Sequence, residues 1–300
     1  MTTLLKLAQE RGLEAQSTSL ATFREKLVMK KPAANLDEAL ALFTLFQKVL
    51  DRPEVLEQVA FEALEDCYRE GTRMVELRFS PGFVCEFNEL SWQDALDSFH
   101  KGITRGLIKY ADMKAGLICI ASRNLGAESV ARTIEFFLNN QSSFIGLDLA
   151  GNEGDFPCRL FQPQFKMAIQ SNAKITIHAG EGAGPENIWE AIELLGARRI
   201  GHGVSSIKDP KLMEFLNKNS ICLEMCPTSN WLTSAVAEFK EHPLPLLLRA
   251  GVPVSINTDD PAVFGVTLPD EIRLCREKLG MSESEIDQCM GHAKKASFLS

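Results

Sequence analysis

Five segments carry chemistry-capable side chains directly after short apolar runs. His178-Ala179-Gly180-Glu181 follows KITI. A neutral imidazole ligates metals, a nearby carboxyl shuttles protons, and the glycine lets the chain turn between them. Gly201-His202-Gly203 ends the next run, where two glycines leave a bare imidazole approachable. Residues 255–261 (SINTDDP) close the last run. Adjacent carboxylates there are costly unless bound, so one of Asp259 and Asp260 could ligate a metal and the other hydrogen-bond a substrate. Residues 147–153 (LDLAGNE) end a middle run, where Gly151 could offer a backbone N–H to a ligand. Residues 226–230 (CPTSN) read as a polar pocket wall or a turn. Each segment also has a plain structural reading: a helix-capping Glu181, a buried His202, a turn at Gly151, an Asx turn before Pro261. GEGAGP lacks the Gly-Lys-Ser/Thr ending of a phosphate loop and the GxGxxG spacing of a dinucleotide loop.

Strands are expected at 74–80, 116–122, 144–150, 174–178, 199–202, 221–225 and 252–257, with helical stretches between them. That rhythm suits βα units of a parallel sheet. Before the first strand the chain reads helical, at 4–12, 37–49 and 53–69; after the last, at 270–279 and 284–296. Seven strands fit an open sheet as well as an eight-stranded barrel with one missing. Polar groups decide for the barrel. They sit at six of the seven strand ends, among them Arg78, Asp148, His178, His202 and Asp259. A barrel gathers its strand ends at one mouth, whereas an open sheet concentrates its site at one switch point. Glu76 and Arg78 alternate with apolar neighbours and should share one face, as an ion pair or a substrate contact. His100 and His292 are expected at the surface, and His242 as a local hydrogen-bonding group.

The 300 residues hold 32 Lys+Arg against 40 Asp+Glu, a net charge of −8. That balance speaks against a general nucleic-acid binder and against anionic membrane surfaces. No apolar run has spanning length, and the charged start is no secretion signal. Eight scattered cysteines without a CxxC pair read as reduced thiols in a cytoplasmic protein. The sequence carries no signal of oligomeric state.

The phrases VELRFSPGF, LDLAGNE, HAGEGAGPENIWEAI, RIGHGV, CPTSN and SINTDDPAVFG, in this order, resemble the adenosine deaminase family, and its bacterial members most. The resemblance covers nearly the whole chain. It implies a TIM-type (β/α)8 barrel of the metal-dependent hydrolases, as one domain over 1–300. It implies a zinc cofactor and hydrolytic deamination of adenosine or 2′-deoxyadenosine. His178 and Asp259 match zinc ligands. Glu181 matches the group that protonates purine N1, and His202 the imidazole that assists the attacking water. Asp260 matches the partner of N7, and Gly151 the backbone donor to N3. Zinc would lower the pKa of water near neutrality so that hydroxide attacks C6. The purine nucleoside substrate is neutral, so a basic patch is not required. The H-x-E and P-C-x-x-C signature of cytidine-type deaminases is absent from the sequence.

One departure stands out. The family begins its barrel with a strand ending His-x-His-Leu-Asp-Gly, whose histidines ligate zinc and whose Asp contacts the ribose. None of the five histidines here is one residue from another. The opening MTTLL resembles the stretch just after that motif, and the end also looks clipped. The expectation is therefore a chain lacking the first strand, with two unpaired strand edges. Zinc would keep only His178 and Asp259, with His202 nearby, where three protein ligands are usual. Weak zinc binding and poor turnover would follow. The alternatives are a catalytically silent purine-binding or regulatory relative, and an adenine deaminase-like hydrolase.

Overall fold

A computed structural model describes residues 1–33, 43–86 and 88–299. All seven expected strands form: β1 (Met74–Phe79), β2 (Lys114–Ser122), β3 (Gly146–Ala150), β4 (Thr176–Ala179), β5 (Arg199–His202), β6 (Cys222–Met225) and β7 (Val254–Ile256). Every ladder is parallel, β1-β2-β3 in one sheet and β4-β5-β6-β7 in the other. A bridge between Leu147 and Ile175 joins the two, so the strands lie in sequence order. Helices connect them and bury their apolar faces in one large core with the strands.

The sheet is rolled. Arg78 on β1 meets Glu224 on β6, Nη2 to Oε2 2.6 Å, and Arg199 on β5 meets Glu76 on β1 at 2.6 Å. In a flat sheet β1 and β6 would be five strand spacings apart, roughly 24 Å, beyond the reach of an Arg–Glu pair. Among the described residues no strand pairing joins β7 to β1. The inward face is charged: Glu76, Arg78, Asp148, Arg199 and Glu224 tie together inside the roll. Glu76 and Arg78 thus form ion pairs on the shared face that alternation predicts.

The segment following helix Glu283–Ala296 closes the end of the roll opposite the mouth. Glu76 accepts from the Ser297 hydroxyl (2.7 Å) and the Phe298 N–H (2.5 Å). The Phe298 ring lies 3.6 Å from the Arg199 guanidinium, and its carbonyl accepts from Lys174 at 2.8 Å.

Helices Thr2–Glu10 and Pro53–Arg69 match expectation. Of the expected helix 37–49, Phe43–Val49 is helical and 37–42 lie outside the described residues. Leu20–Leu27 is an additional helix in the N-terminal region, and with Thr2–Glu10 it packs around Phe23 and Val49. The late helices run Leu268–Glu277 and Glu283–Ala296, each opened by a capping box. Four short helices were not expected: Pro81–Cys85, Pro227–Leu232, Leu244–Arg249 and Pro261–Phe264. Each carries Pro in its first turn, where the missing N–H costs nothing. The surface expectation fails for His292. It is half-buried, with Nδ1 3.3 Å from the Val254 N–H, because its helix packs against β7. His100 is also only partly exposed, its Nε2 2.7 Å from the Ser143 carbonyl.

Candidate active site

Four strand ends deliver side chains to one mouth. His178 stands in β4, opposite Gly201 of β5 in register. A Cβ at position 201 would lie 3.1 Å from the His178 ring, so glycine is what lets the imidazole lie across β5. The His178 Nδ1 faces the Asp148 carboxylate at 3.0 and 3.1 Å. Asp148 is fully buried on β3 and also receives Arg78 at 2.8 Å. Burial alone would raise the Asp148 pKa, but the His178 and Arg78 charges outweigh it and hold it well below the usual carboxylate range. Burial in turn lowers that of His178, and Asp148 overcomes it, to about 9. Nδ1 therefore carries a proton and Nε2 is left toward the mouth, the arrangement in which a carboxylate orients a metal-binding histidine.

His202 ends β5 with φ +60, and Asp259, after β7, has φ +56. Such backbone is costly for residues with a side chain and recurs at functional sites. His202 is 2% exposed. Its Nδ1 lies 2.9 Å from Asn230 Nδ2, and its Nε2 lies 3.4 Å from Glu181 Oε2 and 3.8 Å from Asp259 Oδ2. The two imidazoles are 5.1 Å apart between centroids. His178, His202 and Asp259 each bring a possible ligand atom within 4.8 Å of the others. Within this group the His178 imidazole and the Asp259 carboxylate are donor types that zinc takes.

Glu181 sits on the loop after β4. Glu153 pins that loop by accepting from the N–H groups of Gly180 (2.7 Å), Glu181 and Gly182 (both 2.6 Å). Arg123, fully buried, donates to the His178 carbonyl at 2.6 Å. The far wall is helix Pro227–Leu232 with Thr233 at its end. Ser229 donates to Asp259 Oδ2 at 2.7 Å, Asn230 bonds His202, and Thr233 donates to Glu181 Oε1 at 2.7 Å. Glu271 accepts from the Thr228 N–H at 3.0 Å and secures the start of this helix. Asp260 is the N-cap residue of Pro261–Phe264. Burial, then the adjacent Asp259, push its pKa well up. Gly151 follows β3 at φ +110, with Asn124 so close that a Cβ would lie 2.2 Å from its Oδ1.

The sequence-derived candidates His178, Glu181, His202 and Asp259 thus meet at one mouth, with Asp260 next in the chain and Gly151 at the end of β3. CPTSN is more than a wall: it opens a helix whose Ser229 and Asn230 touch two of the four, Asp259 and His202. Thr233, Glu271 and Arg123 escaped the sequence reading. Thr233 follows Ser229 at the i+4 helical spacing, a signal available once Pro227 is read as a helix start. Arg123 directly follows the strand run 116–122, the same position that marked the other candidates, whereas Glu271 lies within a helix and left no local signal.

Rolled parallel α/β strands with a histidine–carboxylate cluster at their C-terminal ends define the class of TIM-barrel amidohydrolases. Within that class, the adenosine deaminase family model matches residues 2–300. Adenosine deaminases of Shigella flexneri serotype 5b and of Escherichia coli O7:K1 are each 39% identical over 99% of this chain and 89% of their own length. The chain belongs to the adenosine deaminase family. Among solved structures, Arabidopsis ADAL complexed with IMP has TM-score 0.83 at 25% identity, covering 99% of this chain and 87% of that one. The adenine deaminase of Arthrobacter aurescens shares the fold, TM-score 0.91 at 24% identity, over 100% of this chain and 90% of that one.

Proposed function

We propose that the chain hydrolyses adenosine or 2′-deoxyadenosine to inosine or deoxyinosine and ammonia. The convergence of His178, Glu181, His202 and Asp259 at one mouth carries the reading. The 39% identical Shigella flexneri and Escherichia coli relatives, which are adenosine deaminases, support a nucleoside rather than a free base. His178 Nε2 and Asp259 would hold zinc, which when bound supplies Lewis acidity and lowers the pKa of water. The chain's own residues do the rest. Glu181, steadied by Thr233, delivers a proton to purine N1 and makes C6 electrophilic. His202 sits beside Glu181 and Asp259 and orders the attacking oxygen. Asp260 hydrogen-bonds N7 and the Gly151 N–H meets N3, fixing the ring plane. Water oxygen bonds to C6; one water proton returns to Glu181, the other passes to the amino group, and the C6–N bond breaks to release ammonia.

The test is the ultraviolet change of adenosine mixed with purified chain and added zinc. Conversion that falls roughly 100-fold or more in Glu181→Gln, as loss of a general acid should cause, supports the reading. Adenosine binding without turnover at any zinc concentration would overturn it in favour of a silent purine-binding protein.

A further inference from the structure

Two backbone N–H groups, whose donor role is fixed, settle the protons of the polar chain behind His202. The Leu244 N–H donates to His242 Nδ1 at 3.2 Å. His242 Nδ1 is therefore an acceptor, and a neutral ring carries its hydrogen on Nε2. His242 is neutral, because burial among protein atoms, aided by His202, lowers its pKa to about 3. Its Nε2 faces Asn230 Oδ1 at 3.1 Å. Independently, the Cys226 N–H points to the same Oδ1 at 3.4 Å. Both donors require Oδ1 to be the oxygen of the Asn230 amide, which fixes its flip. The Asn230 NH2 then faces His202 Nδ1 at 2.9 Å and can only donate.

We infer that Asn230, backed by His242, is a positioning residue that keeps the His202 proton on Nε2. His202 Nδ1 is occupied as an acceptor. The carboxylate oxygens near Nε2 are Glu181 Oε2 at 3.4 Å and Asp259 Oδ2 at 3.8 Å, both acceptors. His178 is set the opposite way, with Nδ1–H on Asp148 and Nε2 toward the mouth. The mouth thus holds two imidazoles 5.1 Å apart, one anchored by donating through Nδ1 and the other by accepting there. His178 can offer Nε2 to a cation once that nitrogen gives up its proton; His202 offers a hydrogen-bond donor and no lone pair. Of the three residues whose ligand atoms converge, His202 is thereby removed as a neutral ligand. It is left to donate to the reacting oxygen, a consequence that rests on the proposed deamination, whereas the tautomer does not.

Two-bond proton–nitrogen correlation spectra of the 15N-labelled, metal-free full chain read the tautomer of each of the five histidines directly. His202 is assigned by its loss in His202→Gln. The expected result is Nε2–H with an unprotonated Nδ1 for His202, and a protonated Nδ1 for His178. In Asn230→Asp the carboxylate can only accept, so the His202 Nε2–H pattern should be lost and replaced by a protonated Nδ1. A wild-type His202 protonated on Nδ1 overturns the inference, as does an Nε2–H pattern unchanged in Asn230→Asp. If that variant does not fold, the wild-type spectrum alone decides. Adenosine turnover on the same sample separates the two readings. An inactive chain with His202 as Nε2–H loses the deaminase assignment and keeps this one.

Discussion

Asp148 shows how much of the site rests on side chains that need not touch a substrate. Fully buried, it binds both Arg78 and His178, and a buried carboxylate survives there only because both partners are cationic donors. Its oxygens set the tautomer and angle of His178. Asp148→Asn keeps the shape but drops the charge, and outer-shell partners of ligating histidines typically account for about 10–100-fold in metal affinity. Chelator competition should show zinc affinity falling by that order, with circular dichroism unchanged. An unaltered affinity would mean that Asp148 serves the fold alone. His178, Glu181, His202 and Asp259 were readable from sequence because each follows an apolar run by a fixed step. Their supports were less so. Arg123 reaches His178 from a position 55 residues earlier, and no local pattern reports such a partner.

Helix Pro227–Leu232, with Thr233 capping its end, is the element on which the site's precision hangs, since Ser229, Asn230 and Thr233 each hold a different candidate side chain. Glu271 anchors its first turn. Burial raises the Glu271 pKa from 4.5 to about 7. Between those values the folded chain keeps a proton that the unfolded chain has lost. Stability therefore falls as pH rises through that window and levels off above it, by roughly 3 kcal/mol in all. Glu271→Gln can still accept from Thr228 but cannot ionise. Its melting temperature should fall less than the wild type's between pH 5 and 8; parallel curves would show that Glu271 does not titrate there. The strands were readable because apolar runs recur with the βα rhythm, and all seven form. The short helices were not, because a single turn has no periodicity, only a proline at its start.

Over the full fold, the strand order and the rolled sheet follow from the βα rhythm and from polar groups collecting at one end. What the sequence concealed is the charged interior. Glu76, Arg78, Arg199 and Glu224 cross from β1 to β5 and β6, and no linear pattern says which Glu meets which Arg. Phe298 covers this network from below, 7% exposed and stacked over Arg199. Phe298→Ala should cost about 3 kcal/mol through the cavity it leaves and the water it admits to the ion pairs. Urea unfolding would report it as a lower midpoint; an unmoved midpoint would show the segment to be loosely held.

That floor also has a bearing on time. Glu76 leaves the ribosome early, yet its partners Ser297 and Phe298 are made 221 and 222 residues later. At typical elongation rates of about 5–20 residues per second, this leaves on the order of ten seconds or more in which the nascent roll has strands but no closure. Nascent chains arrested before residue 296 should thus be cut by protease within β1 to β3, and chains extended past 299 clear of the exit tunnel should resist. Equal resistance of the two would mean that the ion pairs of the interior assemble without their floor.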